Sequence, residues 1–254
     1  MKKHILCLGD SNTHGYCADP GDCDDSTLAR FNEEERWTCL LQRALGDAYL
    51  VIEEGLSGRT TVFEDPLNEG MPALPYLAPC LKSHEPVSLL IIMLGTNDTK
   101  TFFGMNAYMI AKGAERIIER IRQGGYGPDG KCPEILLMSP IHLHPNMLNE
   151  WLSEEFGEQS LKVDGELGSH LAAIAKAQGV HFLDAGEFIT ADTGDGIHMN
   201  ADGHALLAEK VIATVKEILG YGAKYQKKSR SDCSERLFPL IRTRRASERW
   251  CVHA

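Results

Sequence analysis

The chain predicts an α/β fold: a three-layer α/β/α sandwich with a five-stranded parallel sheet in the flavodoxin-like order 2-1-3-4-5. Two observations predict it. Five short apolar runs punctuate the sequence, at 4–8, 49–53, 88–94, 135–139 and 180–184. Helical periodicity fills much of the sequence between them, and strands that alternate with helices pair in parallel through right-handed crossovers. The runs are nearly continuous in apolar residues, the pattern of a sheet covered on both faces.

The first run, His4-Ile5-Leu6-Cys7-Leu8, stops at Gly9-Asp10-Ser11-Asn12. A buried strand ending in such a turn delivers a hydroxyl to the rim of a sheet. Residues 36–46 read as a helix closed by Gly46. In 106–122, Ile110, Ala114, Ile117, Ile118 and Ile121 mark one helical face. Leu167, Leu171 and Ile174 do so in 161–178, and Leu207, Val211, Val215 and Ile218 in 203–219. Three connections are long: 13–35, 60–86 with Pro66, Pro72, Pro75, Pro79 and Pro86, and 140–157. Each follows the carboxyl end of a strand, where open α/β sheets place their sites, so all three are expected to wall one pocket. Gly125 to Gly130 spells G-x-G-x-x-G but follows a helix and precedes a strand, the reverse of the dinucleotide context, so it reads as a turn.

At 254 residues, 43% hydrophobic and 24% charged, the chain can build one sizeable core. The net charge of −10 argues against a phosphate-tracking surface. Residues 221–254 carry nine Lys or Arg against three acids, and therefore +6, against −16 for the first 220. The expected organisation is a folded domain over 1–220 and a basic, mobile extension over 221–254. That extension reads as a solvated tail rather than a nucleic-acid or membrane contact. The eight cysteines show no Cys-x-x-Cys spacing and read as reduced thiols of a cytoplasmic protein. The apolar run behind Lys2-Lys3 is too short for a signal-peptide core, and no run approaches a membrane span.

Two further segments give Ser11 a chemical context. Gly95-Thr96-Asn97-Asp98 follows the run at 88–94, and Asp195-Gly196-Ile197-His198 precedes the last helix. Acyl transfer needs a nucleophile, a base and a group that orients the base, and Ser11, His198 and Asp195 supply these. Asn97 offers a side-chain N–H to a developing oxyanion. Gly58, in Gly55-Leu56-Ser57-Gly58-Arg59-Thr60-Thr61 after the second strand, lets the backbone approach a ligand, so the N–H groups of Ser11 and Gly58 with Asn97 would form an oxyanion hole. No cofactor is expected.

The blocks GDSN, SGRT, GTND and DGIH, in that order, resemble the four signature blocks of the SGNH (GDSL-type) hydrolase superfamily. The likeness spans 4–219. The family's Ser, Gly, Asn and His match Ser11, Gly58, Asn97 and His198, and its triad Asp matches Asp195. The stretches around these blocks are similar to the bacterial arylesterase/acyltransferase branch. That narrower resemblance implies a pocket lined by Asn12, Tyr16, Thr96, Lys100 and Ile197, with an apolar entrance shaped by Trp151, Leu152 and Phe156. It also implies a small ester as substrate, acyl transfer to alcohols or peroxide, and a homo-oligomer, an octamer by analogy with the branch. Asn12 and Gly58 depart from an acyltransferase of the branch, which has an apolar residue and Ala there.

Blander readings compete at several positions. Ser11 could cap a helix. Asp10 and Asp98 read as structural, a cap and a brace for a loop N–H. Arg59 reads either as a partner of Glu64 or Asp65 or as a ligand for a substrate carboxylate. Lys100 reads as a rim charge rather than a base. His142 and His144 alternate on an extended segment, but no third metal ligand is evident. The alternatives in function are a carbohydrate O-deacetylase or thioesterase and, from a different functional class, a non-catalytic α/β binding module.

Overall fold

The computed structural model describes residues 1–23 and 29–220. Five strands, β1 (Lys3–Gly9), β2 (Tyr49–Gly55), β3 (Val87–Met93), β4 (Glu134–Met138) and β5 (His181–Leu183), form one sheet in the order 2-1-3-4-5. Every pairing is parallel. The helices are α1 (Ser11–His14), α2 (Trp37–Leu45), α3 (Ala73–His84), α4 (Ala107–Arg122), α5 (Glu158–Gln178) and α6 (Ala201–Ile218). The expected mobile extension over 221–254 lies outside the described residues.

Strand side chains alternate between the faces, so each apolar run feeds two cores. Leu6, Leu8, Leu90, Ile92, Ile135 and Leu137 point to one core, built with α3, α4 and α5. Ile5, Cys7, Leu89, Ile91, Met93, Leu136 and Met138 point to the other, built with α2 and α6. This two-sided burial is why the runs read as continuous rather than alternating.

Helix α3 departs from the sequence expectation, which left 60–86 as a proline-rich connection. Its buried face is Ala73, Leu77, Cys80 and Leu81, a helical repeat. Pro72 precedes the helix and Pro75 sits in its first turn, where no intrahelical bond is lost. Pro79 lies inside the helix on its exposed side. The prolines hid a pattern that was present.

A second departure concerns the cysteines. Cys17 and Cys23 form a disulfide, so these two are not reduced thiols. A turn makes the pairing possible: Asp19 accepts the N–H of Asp22 at its carbonyl and that of Gly21 at its carboxylate. The chain doubles back and brings the two Cα atoms to 6.3 Å. Cys7, Cys39 and Cys80 are free thiols. Among the described residues no helix is long and apolar enough to cross a membrane.

His204, on α6, is wholly buried against the edge of the Phe31 ring, with Nδ1 3.5 Å from the Trp37 N–H. Burial pushes its imidazole down to about 3, and the charges of His198 and Arg36 act in the same direction. In the unfolded chain the imidazole returns to near 6.5. Between these values the unfolded chain binds the extra proton, so stability is lost as pH falls through that window. His204→Leu should therefore flatten the fall in unfolding free energy between pH 7 and pH 4, by an amount on the order of 3 kcal/mol. Urea unfolding at the two pH values measures it. Equal slopes in variant and wild type would show that His204 is not held neutral by the fold.

Candidate active site

The site begins with strand register. Gly9 pairs with Gly55 on one side and Met93 on the other, so β1, β2 and β3 end at one level. The loops bearing Ser11, Gly58 and Asn97 leave from that edge. It is also where the strand order reverses, the place where open α/β sheets bind ligands. Gly55 is required there: a Cβ would lie 2.2 Å from the His14 backbone nitrogen, so only glycine lets α1 sit on the end of β2. Asp10 caps α1 by accepting the Asn12 N–H at 3.0 Å. Ser11 is the first residue of that helix.

The segment before α6 carries the partners of Ser11. Asp195 Oδ1 accepts the backbone N–H groups of Ile197 and His198 at 2.9 Å each, folding the segment into a tight turn. Asp195 Oδ2 lies 2.5 Å from His198 Nδ1, and His198 Nε2 lies 2.8 Å from Ser11 Oγ. A carboxylate on Nδ1 fixes the tautomer with its proton there, leaving Nε2 free to accept the serine proton. All three side chains are buried. Burial pushes the Asp195 carboxyl up, but the hydrogen bond and charge of His198, with the two N–H groups, outweigh it and hold it below the usual range. Tyr16 packs its ring 4.5 Å from the imidazole.

Asn97 follows β3 and donates from Nδ2 to the carbonyl of Arg59 at 3.1 Å. That bond ties the amide to the residue next to Gly58, whose φ of 85° is left-handed and favours glycine. Among the described residues, no protein acceptor takes the second amide hydrogen of Asn97. Asp98 braces the same junction, accepting the Thr61 N–H at 2.9 Å and the Thr61 hydroxyl. Burial pushes the Asp98 carboxyl up to about 6. Asp10 is pushed up to about 6 by burial too, against the pull of the Asn12 N–H and His198. Both aspartates are structural, as expected from the sequence.

Several expectations need correction. Arg59 does not pair with Glu64 or Asp65. It is buried, donates to the carbonyls of Gly9 and Glu54, and lies over the Tyr76 ring. It ties β1 to β2. Lys100 is not a rim charge: it is buried, 2.6 Å from Glu155 and 3.8 Å from Asp65. Those partners lie 55 and 35 residues away, and no local pattern announces them. Asn12, assigned to the pocket, turns its amide to the carbonyl of Ile197 (3.2 Å) and the N–H of Met199 (3.0 Å). Phe156 and Ile197 pack with Leu143 and Met147 in a buried cluster, with Leu152 against it. Trp151 stays outside, 70% exposed, because its 3₁₀ turn points Leu152 inward and Trp151 away. Of the three residues expected at an apolar entrance, Phe156 and Leu152 thus belong to this cluster and Trp151 does not. Thr96 is buried beside Asp10.

The two histidines offered as a metal pair separate. His142 Nδ1 bonds Asp164 at 2.9 Å, and His144 Nδ1 accepts the Asn146 N–H at 3.1 Å. Among the described residues, Glu54, Cys80 and His84 place ligand atoms within 4.8 Å of one another. Both carboxylate oxygens of Glu54 are already engaged, by Tyr76 Oη at 2.8 Å and His84 Nε2 at 3.0 Å, so the cluster closes on its own hydrogen bonds.

The family model described as GDSL-like Lipase/Acylhydrolase matches residues 7–206. The chain belongs to this family. It is an esterase/acylhydrolase of the SGNH type, and its sheet order is the one expected of that fold. A carbohydrate acetylesterase of Sinorhizobium meliloti, Est24, is 35% identical, with 85% of this chain and 100% of that one covered, at a TM-score of 0.78. The inhibitor-bound aryl esterase of M. smegmatis is 36% identical, with 85% and 99% covered, at 0.77. A second S. meliloti structure, a carbohydrate acetylesterase family member, is 31% identical, with 86% and 99% covered, at 0.75. No curated protein matches the sequence of this esterase.

Lys100 offers a test of the site's frame. Lys100→Met leaves the buried Asp65 without its cation, and removing one partner of a buried pair costs roughly 3–5 kcal/mol. Chemical denaturation should show a loss of that order in this esterase. A change below about 0.5 kcal/mol would be the behaviour of a surface charge.

Proposed function

We propose that this esterase hydrolyses small, short-acyl esters through an acyl-enzyme on Ser11. The observation that carries the reading is the unbroken line of hydrogen bonds from Asp195 through His198 to Ser11 Oγ. Ser11 Oγ attacks the ester carbonyl carbon while His198 Nε2 takes its proton. Asp195 keeps the imidazole in the required tautomer and stabilises its cation. The carbonyl oxygen becomes an oxyanion, held by the N–H groups of Ser11 and Gly58 and the amide of Asn97. Collapse of the tetrahedral intermediate breaks the ester C–O bond, and the leaving alcohol takes the proton from His198. Water then attacks the acyl-enzyme by the same steps in reverse, and an alcohol or peroxide in its place gives acyl transfer.

The substrates in this reading are aryl, alkyl and sugar acetates, and the neighbours named aryl esterase and carbohydrate acetylesterase support the aryl and sugar esters among them. A second reading, a carbohydrate O-deacetylase, is favoured by the two S. meliloti acetylesterases among those neighbours. p-Nitrophenyl esters of rising chain length, compared with acetylated xylosides, separate the two by kcat/KM.

Two substitutions test the mechanism. Ser11→Ala should abolish turnover of p-nitrophenyl acetate and labelling by a fluorophosphonate probe while leaving thermal unfolding intact; wild-type turnover in that variant would remove Ser11 from the chemistry. Asn97→Ala should lower kcat by about 10²–10³-fold if the amide serves the oxyanion, whereas a change confined to KM would assign it to ground-state binding.

A further inference from the structure

We propose that Asn12 is a positioning residue for the base: its side-chain amide clamps the two residues that flank His198 and so sets the distance from the imidazole to Ser11. The proposal rests on the reading of Ser11 and His198 as nucleophile and base.

Asn12 is 2% exposed and lies within α1, one residue after Ser11. Its Nδ2 donates to the carbonyl of Ile197 at 3.2 Å, and its Oδ1 accepts the N–H of Met199 at 3.0 Å. The amide thus reads the chain on both sides of His198 as a neighbouring peptide group would, with donor and acceptor held in one plane. Asparagine is suited to this because one short side chain carries both functions. A leucine of similar size carries neither, and an aspartate carries only acceptors when ionised.

Other polar groups of the segment are engaged elsewhere. The N–H groups of Ile197 and His198 turn inward to Asp195 Oδ1, and the His198 carbonyl accepts the N–H of Asp192 at 2.9 Å. Those bonds shape the loop. They do not place it against α1. Asn12 does, and its own backbone N–H is held by Asp10 Oδ1 at 3.0 Å. A short relay therefore runs from the cap of α1, through Asn12, to the residues before and after the imidazole. Ser11 and His198 are 187 positions apart in sequence, so local chain geometry cannot hold their separation. A misplacement of about 1 Å between reacting groups costs about 10²-fold in rate, which makes an anchor at this point matter to turnover more than to folding.

The test uses Asn12→Leu and Asn12→Asp in the full chain. Asn12→Asp preserves volume, so it also covers the case in which the leucine variant fails to fold. Steady-state kinetics on p-nitrophenyl acetate, the rate of fluorophosphonate labelling and thermal unfolding are measured together. Each folded variant should lose about 10–100-fold in kcat, with KM within about threefold of wild type and labelling slowed in proportion. A kcat within threefold of wild type in either folded variant, or a loss carried by KM alone, overturns the proposal. A loss in Asn12→Asp alone would trace the effect to charge and overturn it as well. Failure of the underlying mechanism looks different: wild-type turnover then survives Ser11→Ala, or the probe reacts at another residue of the wild-type chain.

Discussion

One hydrogen bond, from Ser11 Oγ to His198 Nε2, sets the demand that the rest of the chain meets. Its two ends come from opposite ends of the fold: the loop after the first strand and the turn before the last helix. A parallel sheet solves the first half of the problem. Because β1, β2 and β3 end at one level, three loops leave a single edge, and short turns suffice to gather Ser11, Gly58 and Asn97. The Asp195 turn solves the second half by presenting an imidazole of fixed tautomer to that edge.

Holding these loops has an electrostatic cost. Asp10, Asp98, Asp195, Arg59, Lys100 and Asp65 are all buried around the site. Each is offset by a specific partner: the Asn12 N–H for Asp10, Thr61 for Asp98, the His198 turn for Asp195, strand-end carbonyls for Arg59, and Glu155 with Asp65 for Lys100. A buried polar group that loses its partner is expensive, so such a frame tolerates few alternative arrangements. Rigidity of this kind suits the proposed oxyanion hole, whose donors must be in place before the charge forms.

Much of this was legible in the sequence, and for a physical reason. Ser11, Asn97 and His198 each sit two residues after a glycine and near strand or helix boundaries, where local signals are strongest. The five apolar runs located the strands because two-faced burial leaves few polar interruptions. Helix α3 was missed because its prolines imitate a loop, although the spacing of Ala73, Leu77, Cys80 and Leu81 was helical. The roles of Arg59 and Lys100 were read incorrectly, since each is decided by partners 35 or more residues away or by the fold's own carbonyls. Lys100 is the clearest case: on sequence grounds a lysine after Asn-Asp-Thr is a surface charge, and only the meeting with Asp65 and Glu155 buries it. The disulfide between Cys17 and Cys23 depends likewise on a turn that cysteine spacing alone does not announce.

The most direct measurement is peptide mass spectrometry after reaction with a fluorophosphonate, with wild type compared to His198→Ala. A loop-borne hydroxyl activated by a distant ring predicts one stoichiometric adduct, on the peptide holding residue 11, and its near-disappearance when the ring is removed. An adduct elsewhere, or equal labelling with the ring gone, would mean that the two ends of the chain do not work as one device.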